Sequence, residues 1–279
     1  MQSLRTLNIV GCGKVGMTLG KLWSEAGVLA VARIMNRSMA SATEAAAFMG
    51  AGTAVASIAE LRPADIWLIG TPDDEIETSC GALAAAGLFA PGNLVFHCSG
   101  ALPSTILHAA ASAGAVTASA HPIRSFADPA QVAASFGNTY FGIEGEPSAA
   151  AALSEAVAAI GAIAVPIKPD FKTVYHAAAV FASNYLVTLL DTAQQAYIKA
   201  GIPEDTALQL MMPLVRGTVD NVFRLGPTDA LTGPIARGDI ITAVRQYRAV
   251  NAWDERYGAL YKQFGKLTAD IAARRRKSS

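Results

Sequence analysis

The chain has 279 residues and carries 22 basic against 22 acidic side chains, a formal net charge of zero. That balance gives no electrostatic support to a nucleic-acid or anionic-membrane partner. Hydrophobic residues at 52% and charged residues at 16% fit one large domain or two ordinary ones with much buried surface. No uninterrupted apolar run reaches the length of a bilayer span, and a strand expected by about residue 6 leaves no room for a secretory signal. Cys12, Cys80 and Cys98 are odd in number, sit in apolar contexts and lack metal-ligand spacing. Reduced cysteines, a cytoplasmic location and no metal are expected.

The first element sets the frame. The apolar run Leu7 to Val10 ends at Gly11-Cys12-Gly13-Lys14-Val15-Gly16, and a helical pattern follows through Met17, Leu19, Leu22 and Trp23. Three glycines spaced G-x-G-x-x-G between a strand and a helix are the mark of a dinucleotide site. Gly11 permits the tight turn, Gly13 lets backbone approach a pyrophosphate, and Gly16 lets the helix pack close to its strand. A second strand, 28–35, ends at Asn36-Arg37-Ser38. An NAD site would place a carboxylate there for the ribose 2′-hydroxyl. Arg37 instead suits a 2′-phosphate, with Asn36 and Ser38 as hydrogen-bond donors, so NADP (NADPH) is the expected cofactor.

A helix over about 40–49, a weak strand at 53–56 and a buried strand at 65–70 come next. The last stops at Gly70-Thr71-Pro72, which is expected beside the ribose or nicotinamide, while Asp73 and Asp74 read as caps of the following helix. A strand at 93–98 runs into Ser99-Gly100, and another at 115–120 delivers His121-Pro122. Ser99 and His121 are candidates for orienting a substrate, and both strand ends should open onto one crevice. Strands at 138–143 and 162–167 flank an Ala-rich helix at 147–160.

From Asp170 onward the pattern is helical. The expected organisation is a dinucleotide-binding domain over 1–168 and an all-helical substrate and dimerisation domain over 169–279. Residues 170–199 read as one long helix with Asp170 as N-cap. Lys172, His176 and Ser183 fall within about 40° of one another on it, and Asn184 lies on the neighbouring face. Lys and His on a mostly apolar helix require partners or a cleft, which makes Lys172, His176 and Asn184 the catalytic candidates. The loop Ala230 to Asp239 is either a turn locked by Arg237 and Asp239 or a ligand contact through Arg237. Arg237 and Arg124 are the cations available to a single substrate carboxylate. Trp253, Tyr257, Leu260, Tyr261 and Phe264 form a stripe suited to a core or a dimer interface. The Arg274 to Lys277 tail reads as a solvated end.

These residues carry a resemblance. The N-terminal half resembles the Rossmann domain of pyrroline-5-carboxylate reductase and 3-hydroxyacid dehydrogenase relatives. More narrowly, His97 to Leu102, His121-Pro122, Tyr175 to Ala178 with Ser183-Asn184, and Ala230 to Asp239 resemble a bacterial family of Rossmann-like proteins. Its helical C-terminal domain, of the 6-phosphogluconate dehydrogenase-like C-terminal type, is one of unknown function. The resemblance implies an α/β fold with a doubly wound Rossmann sheet followed by an all-α domain, an NADP-type cofactor and a homodimer formed through the helices. The dehydrogenase relatives place Lys and, four residues later, Asn on the first helix of the second domain. Lys172 matches, but His176 stands where the Asn would be. His121-Pro122 also resembles a prephenate dehydrogenase motif whose remainder is missing.

Hydride transfer needs a nicotinamide on the sheet edge, a C=O or C=N stacked on it, and an acid for the heteroatom. The expected function is therefore an NADP-dependent oxidoreductase acting on a small carbonyl, hydroxyacid or imine, with Lys172 or His176 as proton donor. The alternatives are a non-catalytic NADP-binding sensor, which would keep the glycine turn without the acid, and a deazaflavin-dependent NADP reductase.

Overall fold

The fold is described from a computed structural model covering residues 4–278, with side chains described to Arg275. The first residues, and the Arg276 and Lys277 side chains of the basic tail, lie outside the described residues.

Alternation of strand and helix runs as the sequence dictates. The strands are β1 (Arg5–Val10), β2 (Leu29–Met35), β3 (Thr53–Val55), β4 (Ile66–Ile69), β5 (Leu94–His97), β6 (Val116–Pro122), β7 (Tyr140–Gly145) and β8 (Ile163–Pro166). They form one sheet in the order β3-β2-β1-β4-β5-β6-β7-β8, parallel throughout except where β6 meets β7. Between them come α1 (Lys14–Glu25), α2 (Met39–Met49), α3 (Ile76–Ala85), α4 (His108–Ser112), α5 (Pro129–Ala134) and α6 (Pro147–Ala158).

Both sheet faces are covered, as the two-residue period of the strands requires. Leu7, Ile9, Leu68 and Phe96 belong to one core with Trp23 of α1 and Leu153 of α6. Val10, Trp67, Ile69 and Val95 belong to the other, with Ile76 and Leu83 of α3. The indole N–H of Trp23 donates to the Ala156 carbonyl at 2.8 Å and ties α1 to α6. One polar side chain interrupts the apolar first strand, and it has a task there. The β1–β2 register slips between Leu7 and Asn8. Buried Asn8 fills that bulge, accepting from the Arg33 N–H at 3.1 Å and donating to the Arg62 carbonyl at 2.8 Å.

The chain divides into compact units at Val180 and Phe181. A 3-10 turn (Pro169–Phe171) and α7 (Lys172–Ala182) open the helical part. Asp170 lies inside that 3-10 turn instead of capping a helix. The long helix expected over 170–199 is two helices, because the backbone leaves helical values at Ser183 (φ −122°, ψ −72°) before α8 (Asn184–Lys199) begins. Ser183 therefore does not continue the stripe of Lys172 and His176. The stretch Pro169–Lys199 is nevertheless apolar enough, at a mean hydropathy of 1.2, to span a bilayer by length and composition.

The second unit continues with α9 (Glu204–Leu225), which contains Pro213, and two single-turn helices, α10 (Pro227–Ala230) and α11 (Pro234–Arg237). It closes with α12 (Ile240–Trp253) and α13 (Glu255–Ser278) packed on each other. Its described apolar side chains are strikingly short of an interior in number: only Ala207, Met211 and Ala272 are buried, while Phe181, Val187, Leu214, Phe223 and Ile241 are exposed.

Candidate functional site

The glycine turn is built by close approach of two strand ends. Gly11 holds φ +79°, and a Cβ on it would strike the Thr71 backbone, so the position is closed to side chains. Its N–H donates to the Met35 carbonyl at 2.8 Å, and the Gly70 N–H donates to the Val10 carbonyl at 2.8 Å. These bonds bring the ends of β1, β2 and β4 together where the strand order reverses, the place where open α/β sheets bind ligands. Gly13 caps α1 and a Cβ there would meet nothing within 4 Å, whereas Gly16 sits 3.3 Å from the Cys12 sulfur by the same measure. The first turn of α1 carries no acidic residue, and the unpaired N–H groups of a helix start can hold an anion.

A cavity of about 850 Å³ lies over these strand ends, the size of a ligand site. Gly11 to Gly16, Asn36, Arg37 and Gly70 to Pro72 line it, as do Ser41, Asp73 and Ser99. Thr71 Oγ1 is buried there without a hydrogen-bond partner, a position that a ligand atom or a water would satisfy.

Three expected contacts take other roles. Asn36 faces the glycine turn: its Oδ1 accepts from the Cys12 N–H and its Nδ2 donates to the Cys12 carbonyl at 3.3 Å. Ser38 does not line the cavity; its hydroxyl caps α2 by accepting from the Ser41 N–H at 3.2 Å. Lys14 donates to the Ala127 carbonyl at 2.6 Å. Arg37 remains as the exposed cation at this end.

At the β5 end, Ser99 also lines the cavity, but its hydroxyl is committed. It donates to Asp73 Oδ2 at 2.8 Å and accepts from the N–H groups of Ala101 and Leu102 at 3.2 and 3.0 Å. Asp73 thus holds the 99–102 turn; it makes no cap of α3, whose N-cap is Glu75. His97, the last residue of β5, is fully buried, with Nδ1 accepting from the Ser99 N–H at 3.1 Å and Nε2 facing the Pro103 carbonyl at 3.3 Å. Burial, then the nearby Lys172 charge, lowers its pKa to about 4. Burial raises the Cys98 thiol to about 12, so the thiol stays protonated and inert.

The register of β6 on β7 organises the rest. It sets Ser119 opposite Glu144 and His121 opposite Gly142, and alternate residues share a face. One turn of α7 rises about 5.4 Å, close to two strand residues at about 3.3 Å each. Lys172 therefore meets the first pair, and Tyr175 and His176 meet the second. The Lys172 ammonium donates to Glu144 Oε1 at 3.0 Å and to the Ser119 hydroxyl, and both charged side chains are 1% exposed. Glu144 also accepts from the Ser104 N–H and hydroxyl at 2.8 and 2.7 Å. Ser119 donates on to the Ser99 carbonyl at 3.3 Å. Burial lowers the lysine pKa, and the Glu144 charge opposes that shift. His121 Nδ1 lies 3.0 Å from the Tyr175 hydroxyl, and the His121 and His176 rings stand 5.5 Å apart.

Of the remaining candidates, Arg124 is held by the Ser135 hydroxyl at 2.6 Å and by Thr139 at 3.2 Å. Asn184 and Arg237 are exposed side chains of the second unit. In the loop before α12, Asp239 is the helix cap, accepting from the Thr242 N–H at 3.0 Å. Sequence reading missed Asp73, Ser119, Glu144 and Tyr175 as site residues. A lone carboxylate inside the apolar strand Tyr140–Gly145 was the available signal for Glu144.

The open sheet with its glycine turn at the reversal of strand order defines a Rossmann-like domain followed by a helical part. Residues 2–122 match the family described as a Rossmann-like domain, and residues 139–268 match the domain of unknown function DUF2520. The chain is thus similar to a Rossmann-like domain over its first part and to DUF2520 over most of the remainder. Protein TM1727 from Thermotoga maritima is 28% identical with a TM-score of 0.77, over 97% of this chain and 99% of that one. Plasmodium falciparum pyrroline carboxylate reductase, solved with NADP bound, is 14% identical with a TM-score of 0.60, over 96% and 98%. A reductive aminase from Aspergillus terreus, in complex with NADPH and ethyl levulinate, is 15% identical with a TM-score of 0.65, over 98% and 94%. No curated protein matches the chain.

Proposed function

We propose that this protein is an NADP(H)-dependent oxidoreductase that moves a hydride between the nicotinamide and a small carbonyl, hydroxyacid or imine. The observation that carries this reading is the continuous cavity from Arg37, past the glycine turn, to unpartnered Thr71 Oγ1 and the 99–102 turn. The fold shared with an NADP-bound pyrroline carboxylate reductase and an NADPH-bound reductive aminase supports it. The α1 N–H groups suit a pyrophosphate and Arg37 suits a 2′-phosphate.

The cofactor supplies or accepts the hydride; the chain orients and polarises. Lys172 is a positioning residue in this scheme. Two of its three protons are committed to Glu144 and Ser119, and through Ser119 it fixes the Ser99 carbonyl at the cavity wall. His176, whose Nδ1 is buried without a partner, is the α7 side chain left free to meet a substrate.

We also propose a homodimer in which the helical units of two copies cover each other. A helical unit with three buried apolar side chains and exposed Phe181, Phe223 and Leu214 has no adequate core of its own. The zero net charge sets up no repulsion between copies. A cytoplasmic location accords with the three free cysteines.

The test is a fluorescence titration with NADPH and NADH, followed by a screen of small keto acids and imines for NADPH oxidation. Tight NADPH binding with turnover is expected. Failure to bind either nucleotide would overturn the reading.

A further inference from the structure

Two imidazole nitrogens converge on the bare Cα of Gly100. A Cβ there would strike His176 Nδ1 and lie 2.8 Å from His121 Nε2. His176 Nδ1 is buried and makes no hydrogen bond. His121 has its Nδ1 engaged with the Tyr175 hydroxyl at 3.0 Å, while its Nε2 makes no hydrogen bond among the described residues. Gly100 follows directly on Ser99, which lines the large cavity. The two free nitrogens thus stand one residue from the cavity wall.

The direction of the Tyr175–His121 bond decides what His121 can offer. A phenol is the stronger donor and an imidazole nitrogen the stronger acceptor, so the O–H···N arrangement prevails. Burial raises the Tyr175 phenol to about 12, against the Gly142 backbone N–H, so it keeps its proton. Burial, then the His176 and Lys172 charges, lowers His121 to about 4, so the ring is neutral near pH 7 and carries one N–H. With Nδ1 accepting, that N–H is on Nε2. Gly142 makes room for the phenol, since a Cβ there would strike its hydroxyl.

We propose that Tyr175 fixes His121 as the Nε2–H tautomer, and that His121 Nε2–H, with the unpartnered His176 Nδ1 beside it, receives the reacting end of the substrate over Gly100. The substrate class follows from the His121 donor: a C=O or C=N that accepts from His121, with a neighbouring polar group to meet the free His176 nitrogen. A neutral imidazole in this role polarises the heteroatom as a hydrogen-bond donor. Tyr175 is a positioning residue and His121 the group that touches substrate. The assignment to substrate rests on the oxidoreductase reading; the tautomer does not.

The test uses the full chain labelled with ¹⁵N-histidine and read by long-range ¹H–¹⁵N NMR at neutral pH. The His121 signals, identified by their loss in His121→Gln, are expected to show the Nε2–H pattern and to become a tautomer mixture in Tyr175→Phe. An Nδ1–H pattern in the unmodified protein, or an unchanged pattern in folded Tyr175→Phe, would overturn the proposal. This readout needs neither cofactor nor turnover, so a protein that bound no NADPH yet showed the pattern would sink only the cofactor reading. With a substrate in hand, Tyr175→Phe should lower kcat about tenfold, the effect of one neutral hydrogen bond, with the NADPH Kd unchanged. Gly100→Ala supplies the second variant. A methyl that displaces both rings should remove substrate turnover and leave the NADPH Kd within about twofold, whereas full turnover would overturn the substrate assignment.

Discussion

The Lys172 ammonium stands 3.0 Å from the Glu144 carboxylate with both side chains 1% exposed. Removing one partner of such a pair strands a charge in the interior, at about 3–5 kcal/mol. Lys172→Met should lose that much stability in urea denaturation. The double change Lys172→Met with Glu144→Leu should recover most of it, because two apolar side chains leave no unpaired charge. A single variant within about 1 kcal/mol of the parent would show that Glu144 reaches water without its lysine.

Two residues of the glycine turn, Gly11 and Gly13, should separate folding from binding. Gly11→Ala places a methyl against the Thr71 backbone at φ +79°, and a strain of about 1–3 kcal/mol is expected together with loss of nucleotide binding. Gly13→Ala meets open space, so its thermal midpoint should hold while NADPH affinity drops at least about tenfold, because the methyl occupies the approach to the pyrophosphate. Equal affinities for Gly13→Ala and the parent would place the phosphates elsewhere.

On the proposed function, Arg37 should govern the choice of nucleotide. A hydrogen bond to a charged group contributes about 1.5–3 kcal/mol, so Arg37→Ala should weaken NADPH by about 10- to 100-fold and leave NADH little changed. Parallel titrations check this, and an equal loss for both nucleotides would remove Arg37 from the 2′ position.

Acid should destabilise the sheet through two imidazoles, fully buried His97 and partly buried His121. His97 and His121 are lowered from 6.5 to about 4 in the folded chain, by burial first. Between those values the unfolded chain binds the protons and the folded one does not, so stability is full above pH 6.5 and falls toward pH 4. Each imidazole adds a slope of up to about 1.4 kcal/mol per pH unit. Urea midpoints across that window should fall less steeply in His97→Asn by one proton's share. An identical slope in the variant would mean that His97 is protonated in the fold.

If two copies bury each other's helices, the thermal midpoint should rise with protein concentration, since dissociation and unfolding are then linked. Light scattering should give twice the chain mass, and Phe223→Glu, at a side chain 87% exposed in the single chain, should halve it. A concentration-independent midpoint with a monomer mass would remove the dimer.

What the sequence made legible is what the chain builds locally. Strand, glycine turn and helix lie within Arg5–Glu25, and Arg37 ends the next strand, so spacing alone located both. The site's inner pairs are different. Asp73 finds Ser99 from 26 residues away, Lys172 finds Glu144 from 28, and His121 finds Tyr175 from 54. No periodicity encodes such distances. The first follows from the parallel pairing of β4 with β5 and the other two from the antiparallel turn of β7 onto β6, and a plain polar residue reveals its partner only once that register is known. Asp73 read as a cap for the same reason: acids at a helix start are the common case, and Ser99 was out of view.

Asn36 holds both backbone groups of Cys12 with its one side chain, and Arg37 is the next residue. On the proposed function, the turn that would meet a pyrophosphate and the backbone carrying the cation for a 2′-phosphate are therefore mounted on one joint. The backbone of both is placed when the chain folds, so a dinucleotide would find the turn preorganised and leave mainly the Arg37 side chain to order on binding. Loosening that joint with Asn36→Ala would shift the penalty into binding, as a slower, entropically less favourable association, even though the side chain removed is spoken for within the protein itself.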